Sequence, residues 1–327
     1  MNKETILSGM QPSGELHIGN LEGALKNWVT LQDSYNMYCC IVDWHALTGD
    51  FENTAILKER VFQLAVDYLA AGLNPEKCAI FIQSDIKEHA ELHLLFSMII
   101  TVPTLTRLPT YVEKKKEKGL DSYGFLGYPV LQAADICIYN ADKVPVGKDQ
   151  EKHIWLAADL AERFNTLYGE TFRIPQALFT KVPVILGIDG RKMSKSYENH
   201  IKIAETDEET RAKIKRMFTD PKKIRRGDPG HPEKCPVYFL HKIYTNDAEH
   251  IIAGPCRTGE LGCVDCKKMA ADNLIAALRP IREKRVVIEN NKDYIWDVLN
   301  NGAIRARERA AAVMEKVRTA MKMDYRR

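Results

Sequence analysis

Three short, almost wholly apolar runs near the start of the chain constrain its fold more than any other feature. They span Thr5–Leu7, Tyr38–Asp43 and Cys78–Gln83, and a stretch of helical periodicity, 54–71, separates the last two. Parallel strands covered by helices on both faces have this composition. The alternation predicts an α/β fold with a doubly wound parallel sheet that binds ligands at the carboxyl ends of its strands. Further strands are expected at Lys143–Val146 and Val182–Leu186, and further helices at Thr206–Met217, Met269–Arg285, Tyr294–Leu299 and Ile304–Met321.

A glycine-rich turn follows the first apolar run and leads into a helix. Gly9, Gly14 and Gly19 lie in and around it, and apolar residues recur at helical spacing after Asn20. A strand, a turn of small residues and a helix N-terminus together favour an anion, which backbone N–H groups can bind. The dinucleotide fingerprint and the phosphate-binding P-loop are both missing from the sequence, which disfavours NAD enzymes and P-loop NTPases. Taken alone, the turn fits equally well a connection in which His17 only packs or caps.

A second glycine-flanked segment, 187–196, carries two lysines and two serines within its last five residues, Lys-Met-Ser-Lys-Ser. Alone it is compatible with a solvated loop. Together with His-Ile-Gly-Asn at 17–20 it is far more specific. The pair resembles the two signatures of class I aminoacyl-tRNA synthetases and, in detail, those of their tryptophanyl branch. The resemblance extends from Ser8 to the C-terminal helix.

This resemblance implies the domain organisation. Residues 1–196 would form a Rossmann-like catalytic domain, in which about 88–142 is an inserted helical segment that contributes to a homodimer interface. Residues 197–327 would form an all-α domain that binds the tRNA anticodon. The basic run 114–118 within the insertion is interpreted as a solvated helix face.

The resemblance also implies the reaction and its residues. The carboxylate of an amino acid attacks the α-phosphate of ATP, supplied with Mg²⁺, and the protein needs no nucleophile of its own, only positioning and charge stabilisation. Catalytic roles would fall to His17, Lys192 and Lys195. The implied ATP contacts are Gln11, Pro12, Ser13, Gly19, Asn20, Gly147, Lys148, Asp149, Ile185, Lys192, Met193, Ser194, Lys195 and Ser196. Lys148 stands where relatives commonly have Glu, which leaves its role open.

The choice of amino acid is predicted to depend on Asp135, in an otherwise apolar helical segment. Indole has an N–H donor and no acceptor, so its binding site needs a buried acceptor. An unpaired carboxylate there rejects ligands that lack a donor. His45, Gln150 and Gly9 are the other residues expected at tryptophan. A tyrosyl-type synthetase and an inactive RNA-binding paralogue are the alternatives.

Charge is distributed unequally along the chain. Residues 1–196 have 20 Lys+Arg against 24 Asp+Glu, a net of −4, whereas 197–327 have 27 against 20, a net of +7. A basic half is compatible with a polyanion, here tRNA(Trp). The residues expected to touch the tRNA are Arg305, Arg307, Arg309, Lys316, Arg318, Lys322, Lys267 and Lys268. Since no signal peptide or membrane-length apolar run is evident, we expect a cytoplasmic protein with no membrane partner.

Eight cysteines without an export signal indicate a reducing compartment. Four of them lie in apolar segments and are expected in the core: Cys39, Cys40, Cys78 and Cys137. The other four are predicted to hold a metal: Cys235, Cys256, Cys263 and Cys266. From chemistry alone, a Cys₄ site with one C-x₂-C fits zinc, although the second tight knuckle is missing, and it also fits a cubane. The resemblance favours a [4Fe–4S] cluster with a structural role, because some bacterial members of the branch carry one on a similar array.

Overall fold

The computed structural model describes residues 3–179, 185–225 and 227–325, and only the backbone of Lys118, Asp149 and Ser196. Its sheet has five parallel strands in the order β3-β2-β1-β4-β5. Their bounds are β1 Thr5–Met10, β2 Asn36–Ile41, β3 Cys78–Ile82, β4 Lys143–Val146 and β5 Gln176–Phe179. The predicted parallel sheet and its first four strands are thus confirmed. The fifth strand is Gln176–Phe179, and most of the strand expected at Val182–Leu186 lies outside the described residues.

The longer helices, numbered along the chain, are α1 Leu57–Ala70, α2 Glu88–Ser97, α3 Pro109–Lys118, α4 Tyr123–Cys137, α5 Glu151–Tyr168, α6 Asp207–Arg216, α7 Pro236–Tyr244, α8 Cys263–Glu289 and α9 Lys292–Ala320. Short α-helical segments are Ile18–Asn20, Lys26–Leu31, Asp43–Leu47, Val102–Thr106 and Gly254–Thr258. Single 3₁₀ turns occur at Thr54–Ile56, Gln83–Asp85, Lys148–Gln150, Lys195–Tyr197 and Pro232–Lys234, and π-helical turns at Leu21–Leu25 and Glu249–Ala253. No helix in the described ranges is long and apolar enough to span a bilayer.

The chain divides into two compact units. The first comprises Met1–Gly14, Asn27–Thr180 and Ile288–Arg327, and the second comprises Glu15–Lys26 and Lys181–Val287. These units differ from the predicted division at residue 196, because the chain enters the second unit twice and α9 belongs with the sheet. Buried residues of α9 share one hydrophobic core with the strands and with α2, α4 and α5.

Helix α9 packs against the edge strand β3. Two helices were predicted here, at Tyr294–Leu299 and Ile304–Met321, and that prediction was wrong because the helix runs uninterrupted through Gly302. A Cβ on Gly302 would overlap the carbonyl group of Ile80, so glycine lets the helix backbone touch the strand backbone. The glycine therefore marks a close approach and does not end the helix.

Arginines of α9 bind the same unit. They donate to main-chain carbonyls, Arg305 Nη1 to Pro75 (2.8 Å) and Cys78 (3.3 Å), Arg307 Nη2 to Asp85 (2.9 Å) and Arg309 Nε to Tyr139 (3.1 Å). Arg318 forms a bidentate pair with Glu91 of α2. These four guanidinium groups were expected to touch tRNA, but in the structure their donors hold α9 against the sheet unit.

The second unit is mostly helical, as predicted for 197–287. Helix α6 begins with a capping box, in which Glu209 N donates to Thr206 Oγ1 (3.1 Å) and Thr206 N donates to Glu209 Oε2 (2.8 Å). Arg282 of α8 donates to Ile203 O at 2.9 Å and to the side chains of Asp207 and Thr210. A small core of Tyr238, Ala248, Ile252 and Ala253 lies beside the predicted metal cysteines.

Candidate active site

The strand order reverses between β1 and β4, which is where ligands of open parallel sheets bind. The turn Gln11–Gly14 follows β1, and Gly147–Gln150 follows β4, so two predicted ATP-binding segments leave the same edge of the sheet. Gly14 has a φ of +113°, which favours glycine. A Cβ on Gly9, at the end of β1, would lie 2.9 Å from Cys40 O. Both glycines are therefore required by the backbone around this edge.

A cavity of about 260 Å³ opens in the sheet unit. Its lining includes Gln11 and Ser13 of the turn, His45 of the helix after β2, and Lys114 and Phe125. Lys114 Nζ lies 6.0 Å from the ring centroid of Phe125 and 5.7 Å from that of Tyr128. This lysine was interpreted as part of a solvated run, and the structure corrects that interpretation, because it brings a positive charge to a wall of the cavity.

Asp135, on α4, is 3% exposed and accepts hydrogen bonds from three side chains. His45 Nε2 donates to Oδ2 (2.9 Å), His89 Nδ1 donates to Oδ1 (2.7 Å), and Gln83 Nε2 is shared between Oδ1 (2.8 Å) and Oδ2 (2.9 Å). Burial alone would raise the pKa of this carboxyl, but the charge of His89 and the hydrogen bonds from both histidines outweigh burial and hold it below its usual value. Asp135 is thus a buried carboxylate that can only accept.

Gln150 joins the same region through a chain of hydrogen bonds. Its Oε1 lies 2.9 Å from His153 Nδ1, and His153 Nε2 lies 3.1 Å from the hydroxyl of Tyr128. The Tyr128 ring meets the His45 ring edge to face, with centroids 6.3 Å apart. Three residues predicted at tryptophan, Asp135, His45 and Gln150, are therefore connected in one polar cluster of the sheet unit.

The lysine-serine loop, in the second unit, is organised around Asn199. This side chain is 1% exposed; its Oδ1 accepts from Ser194 N (2.8 Å), and its Nδ2 donates to Asp189 Oδ1 (2.8 Å) and Lys192 O (3.2 Å). A Cβ on Gly187 would overlap the Asn199 amide. Met193 is buried and its N–H donates to Ile185 O (2.9 Å), whereas Lys192 is exposed. The loop is thus fixed at its base and exposes its cationic side chain.

His17 lies in the second unit with the loop. Asn20 Oδ1 accepts from His17 N (3.1 Å), and a Cβ on Gly19 would lie 2.8 Å from the His17 ring. Burial, then the charges of Lys195 and His200, lower the pKa of His17 to about 3, so its imidazole is neutral near pH 7. The His200 ring centroid lies 5.7 Å away, and Nδ1 of each ring is buried with no hydrogen-bond partner among the residues that the structure describes. Two neutral imidazoles with unused polar atoms suit hydrogen bonding to a ligand.

Comparison with known proteins decides the family. Residues 2–279 match the model of class I tRNA synthetases for tryptophan and tyrosine. The chain is 50% identical to the tryptophan–tRNA ligase of Thermotoga maritima over 326 residues, covering 98% of this chain and 99% of that protein. It is 41% identical to the Aquifex aeolicus enzyme of the same name, covering 97% and 99% respectively. The chain belongs to the tryptophan–tRNA ligase family.

Solved members of the family share the fold of this synthetase. The Campylobacter jejuni tryptophanyl-tRNA synthetase in complex with ADP and tryptophan superposes with a TM-score of 0.88 at 33% identity, covering 97% of this chain and 99% of that one. A tyrosyl-tRNA synthetase from Archaeoglobus fulgidus reaches a TM-score of 0.69 at 23% identity, a likeness of fold alone. The predicted fold class and enzyme class are confirmed.

The four predicted metal cysteines of this synthetase lie in its second unit. Cys235 precedes α7, Cys256 lies in 254–258, and Cys263 and Cys266 lie in the first turn of α8. Burial and then the other three thiols raise the pKa of Cys266 to about 12, so the four sulfur atoms are close enough to influence one another. No group of three or more ligating side chains stands at metal-binding spacing in the described residues. The four cysteine sulfur atoms are near one another, but they are not arranged as a closed metal-ligand shell.

Several residues of the synthetase sites were missed from the sequence. Gln83 and His89 are fully buried against Asp135, and neither belongs to a quoted motif. Asn199 follows the lysine-serine run at a fixed spacing and could have been noticed as a short polar residue able to close a loop. His200 and Lys114 gave no local signal, because only the fold brings them to their sites.

Proposed function

We propose that this synthetase activates L-tryptophan with ATP and then transfers it to the 3′-terminal ribose of tRNA(Trp). The substrate carboxylate attacks the α-phosphorus, the bond to the bridging oxygen breaks, and pyrophosphate leaves with the electron pair. Tryptophanyl-adenylate remains, and a ribose hydroxyl displaces AMP from it. The names of the close relatives support this reaction, and the single observation that carries the choice of amino acid is the buried, ionised carboxylate of Asp135.

Amino-acid recognition is assigned to the polar cluster of the sheet unit. Asp135 accepts the indole N–H, and Phe125 and the Tyr128 ring supply apolar surface nearby. His45 and Gln150 complete the polar contacts, and Gly9 leaves room at the strand end. Phenylalanine, which has no donor on its ring, leaves the carboxylate without its ligand and is rejected.

ATP contacts are assigned to the turn Gln11–Ser13, to Gly19 and Asn20, to 147–149, to Ile185 and to 192–196, with His17, Lys192 and Lys195 acting on the phosphates. Mg²⁺ accompanies ATP as part of the substrate and supplies charge neutralisation. Lys195 stabilises charge that develops on pyrophosphate, and the neutral His17 can donate a hydrogen bond without adding charge. The exposed Lys148 follows a β4 carboxyl end, so its backbone can contribute even though its charge differs from that of relatives.

Amino-acid-dependent exchange of pyrophosphate into ATP tests this function. We expect tryptophan to support exchange far better than tyrosine or phenylalanine, because only the indole N–H fits a buried acceptor in an apolar wall. Equal rates with tyrosine would contradict the assignment. No exchange with any amino acid would instead favour an inactive paralogue.

tRNA binding is assigned to the second unit. The arginines of α9 are engaged by carbonyl groups and by Glu91, whereas the predicted contacts Lys316 and Lys322 are exposed near the end of the chain. Further exposed basic residues lie on α6 and α8. They are Lys215, Arg216, Lys268, Arg279 and Lys284. Affinity for tRNA(Trp) should fall steeply with salt, since phosphate contacts release counterions. The two substrates ATP and tRNA support the predicted cytoplasmic location.

A homodimer is proposed through the inserted helical segment, 88–142. Large apolar side chains there are half exposed or more, namely Leu94, Met98, Val102, Val112 and Tyr123. Such a surface favours burial against a second copy. Light scattering should give a dimer for the native chain and a monomer for Met98→Asp. Ile224→Asp, at a still more exposed apolar site of the second unit, should stay dimeric.

A [4Fe–4S] cluster on the four cysteines is the cofactor we propose, with zinc as the alternative. Support comes from four thiols within one unit. Burial and then neighbouring thiols raise the pKa of Cys235, Cys256 and Cys266, and a cation would offset this by binding the sulfur atoms as thiolates. When bound, such a group supplies a structural cross-link. Anaerobically purified protein should be brown, with about four iron and four sulfide per chain. Colourless protein with one zinc would replace the cluster assignment.

A further inference from the structure

The recognition carboxylate is bonded from both sides, and only one of its two histidines borders the cavity. His45 lines the cavity and donates to Asp135 Oδ2 (2.9 Å). His89 lies on α2 with no exposed surface and donates to Oδ1 (2.7 Å). Since an ionised carboxylate can only accept, Nδ1 of His89 must carry a proton. A group that no ligand can touch therefore bonds one of the two oxygen atoms.

His89 is itself held by a second buried residue. Its Nε2 lies 2.8 Å from the hydroxyl of Tyr139, which is fully buried. Burial keeps the pKa of Tyr139 well above its ordinary value, so the phenol retains its proton. The Tyr139 ring stacks on Tyr38, with centroids 4.6 Å apart, and Arg309 of α9 donates to the Tyr139 carbonyl (3.1 Å). The His89 imidazole is therefore held by Asp135 of α4 and by Tyr139. Tyr139 is itself held by Tyr38 of the sheet and by Arg309 of α9.

Counting lone pairs shows what this arrangement leaves for a ligand. Two carboxylate oxygens offer about four acceptor positions. His45 and His89 occupy one each, and the Gln83 amide nitrogen lies within hydrogen-bond distance of both oxygens, so at most one position is left for a ligand. The orientation of Gln83 is fixed in turn by the main-chain N–H of His45, which donates to Gln83 Oε1 (3.4 Å). The remaining acceptor direction is therefore set by donors behind the carboxylate.

We infer that His89, supported by Tyr139, is a positioning residue for amino-acid selection, because it directs the acceptor oxygen of Asp135 toward the indole N–H. The inference rests on the proposed function, since it needs Asp135 to receive that N–H. Loss of the His89 donor frees the carboxylate to rotate toward its remaining donors. The preference of the enzyme for a ring with an N–H donor then weakens, whereas its contacts with the rest of the substrate are unchanged.

The test compares tryptophan with its benzothiophene analogue, in which sulfur replaces the ring N–H. The measured quantity is kcat/KM for tryptophan divided by kcat/KM for the analogue, both in pyrophosphate exchange. A hydrogen bond to a charged group corresponds to a change of about tenfold to a hundredfold. We expect His89→Leu to lower the ratio by about tenfold or more, through KM for tryptophan. His89→Asn, whose amide nitrogen can take the place of Nδ1, should retain most of the ratio.

Two further variants keep the test decisive if His89→Leu does not fold. Tyr139→Phe removes only the hydroxyl and should lower the ratio to an intermediate value. Phe81→Leu is the matched control, because Phe81 is fully buried against both the His89 and Tyr139 rings without a hydrogen bond to either. It should lower the melting temperature and leave the ratio unchanged.

The outcomes separate this inference from the function on which it rests. If His89→Leu and Tyr139→Phe keep the wild-type ratio and the wild-type kcat/KM for each substrate, the positioning role alone is overturned. An equal fall in both substrates, with the ratio intact, would show that His89 is only structural and would also overturn it. A wild-type ratio near one would overturn the assignment of Asp135 itself, and the inference with it.

Discussion

The surroundings of Asp135 and of His17 differ in how completely their polar groups are bonded. Around Asp135, both carboxylate oxygens and both nitrogens of His89 have partners. Around the lysine-serine loop, polar atoms are left over. Of the four buried side-chain atoms without a partner in the described residues, three belong to His17, His200 and Glu205 of the second unit. Buried polar groups are normally bonded, so such a concentration is unusual.

This difference teaches how each region treats its ligand. In the function we propose, the sheet unit recognises an uncharged ring, and a rigid acceptor that is already hydrogen-bonded discriminates one N–H donor. In the same proposal, the loop region binds a phosphate chain whose charge changes during the reaction. The buried imidazole nitrogens there can bond to the ligand when it arrives, so their stabilisation is available in the transition state.

The largest effect is expected at the fully bonded site. Asp135→Asn presents an amide N–H₂ to three existing donors, so both the network and the indole acceptor fail. We expect kcat/KM for tryptophan to fall by about a thousandfold or more, mainly through KM. Asp159→Asn, on the exposed face of α5, should behave like the native enzyme. A small loss in Asp135→Asn would remove the basis for calling this site preorganised.

The next effect is expected at the loop. Lys195→Ala should lower the activation rate by about a hundredfold or more, corresponding to a loss of about 3–4 kcal/mol of transition-state stabilisation. Equilibrium binding of tryptophan should change little, because the amino acid is recognised in the sheet unit. Single-turnover rates and tryptophan fluorescence titration separate the two quantities. A weakened tryptophan affinity with a normal rate would reverse the roles that the comparison assigns.

A smaller effect concerns the pH dependence of stability. The pKa of His17 falls from 6.5 in the unfolded chain to about 3 in the folded protein, so the unfolded state binds more protons between these values. Stability therefore decreases as pH falls below about 6.5, and His17 contributes a loss of about 2 kcal/mol between pH 7 and pH 5. Urea unfolding of His17→Gln should show a correspondingly weaker pH dependence. An identical dependence in the two proteins would mean that His17 is not buried as described.

The smallest effect extends the contrast between bonded and free groups to the basic side chains. Lys268→Ala should weaken tRNA(Trp) binding by a few-fold and reduce the salt slope by roughly one. Arg305→Ala should leave tRNA affinity unchanged and lower the free energy of unfolding by about 1–2 kcal/mol, since it removes bonds to two carbonyl groups. Filter binding and urea titration measure these quantities. Equal losses of tRNA affinity in both variants would restore the original assignment of the α9 arginines.

The local sequence pattern predicted the individual strands and helices, but not the contacts between residues distant in sequence. Apolar runs located β1 to β4, and the helix expected at Thr206–Met217 is α6, whose N-cap is Thr206. The uninterrupted helix through Gly302 was not predicted, because a helix break and a close backbone contact look alike in sequence until the opposing strand is known. The bonds from the α9 arginines to main-chain carbonyls could not be foreseen for the same reason, since those carbonyls lie far away in sequence.

The site was predicted as far as motifs reach. Asp135, His45 and Gln150 were expected together and are connected in the structure. His89 could not be inferred, because its value lies in its distance to Asp135, forty-six positions away. His200 and Lys114 likewise acquire meaning only when the fold brings them beside His17 and the cavity.

The contact between Gly302 and Ile80 has a consequence for the order in which the protein is made. A ribosome completes β3 long before it reaches residue 292. The nascent sheet therefore has to wait for α9, the helix that packs against β3. During that interval the unprotected strand can pair with a neighbouring chain. Synthesis rate, and chaperones that shield the growing sheet, should therefore govern the yield of active synthetase in cells.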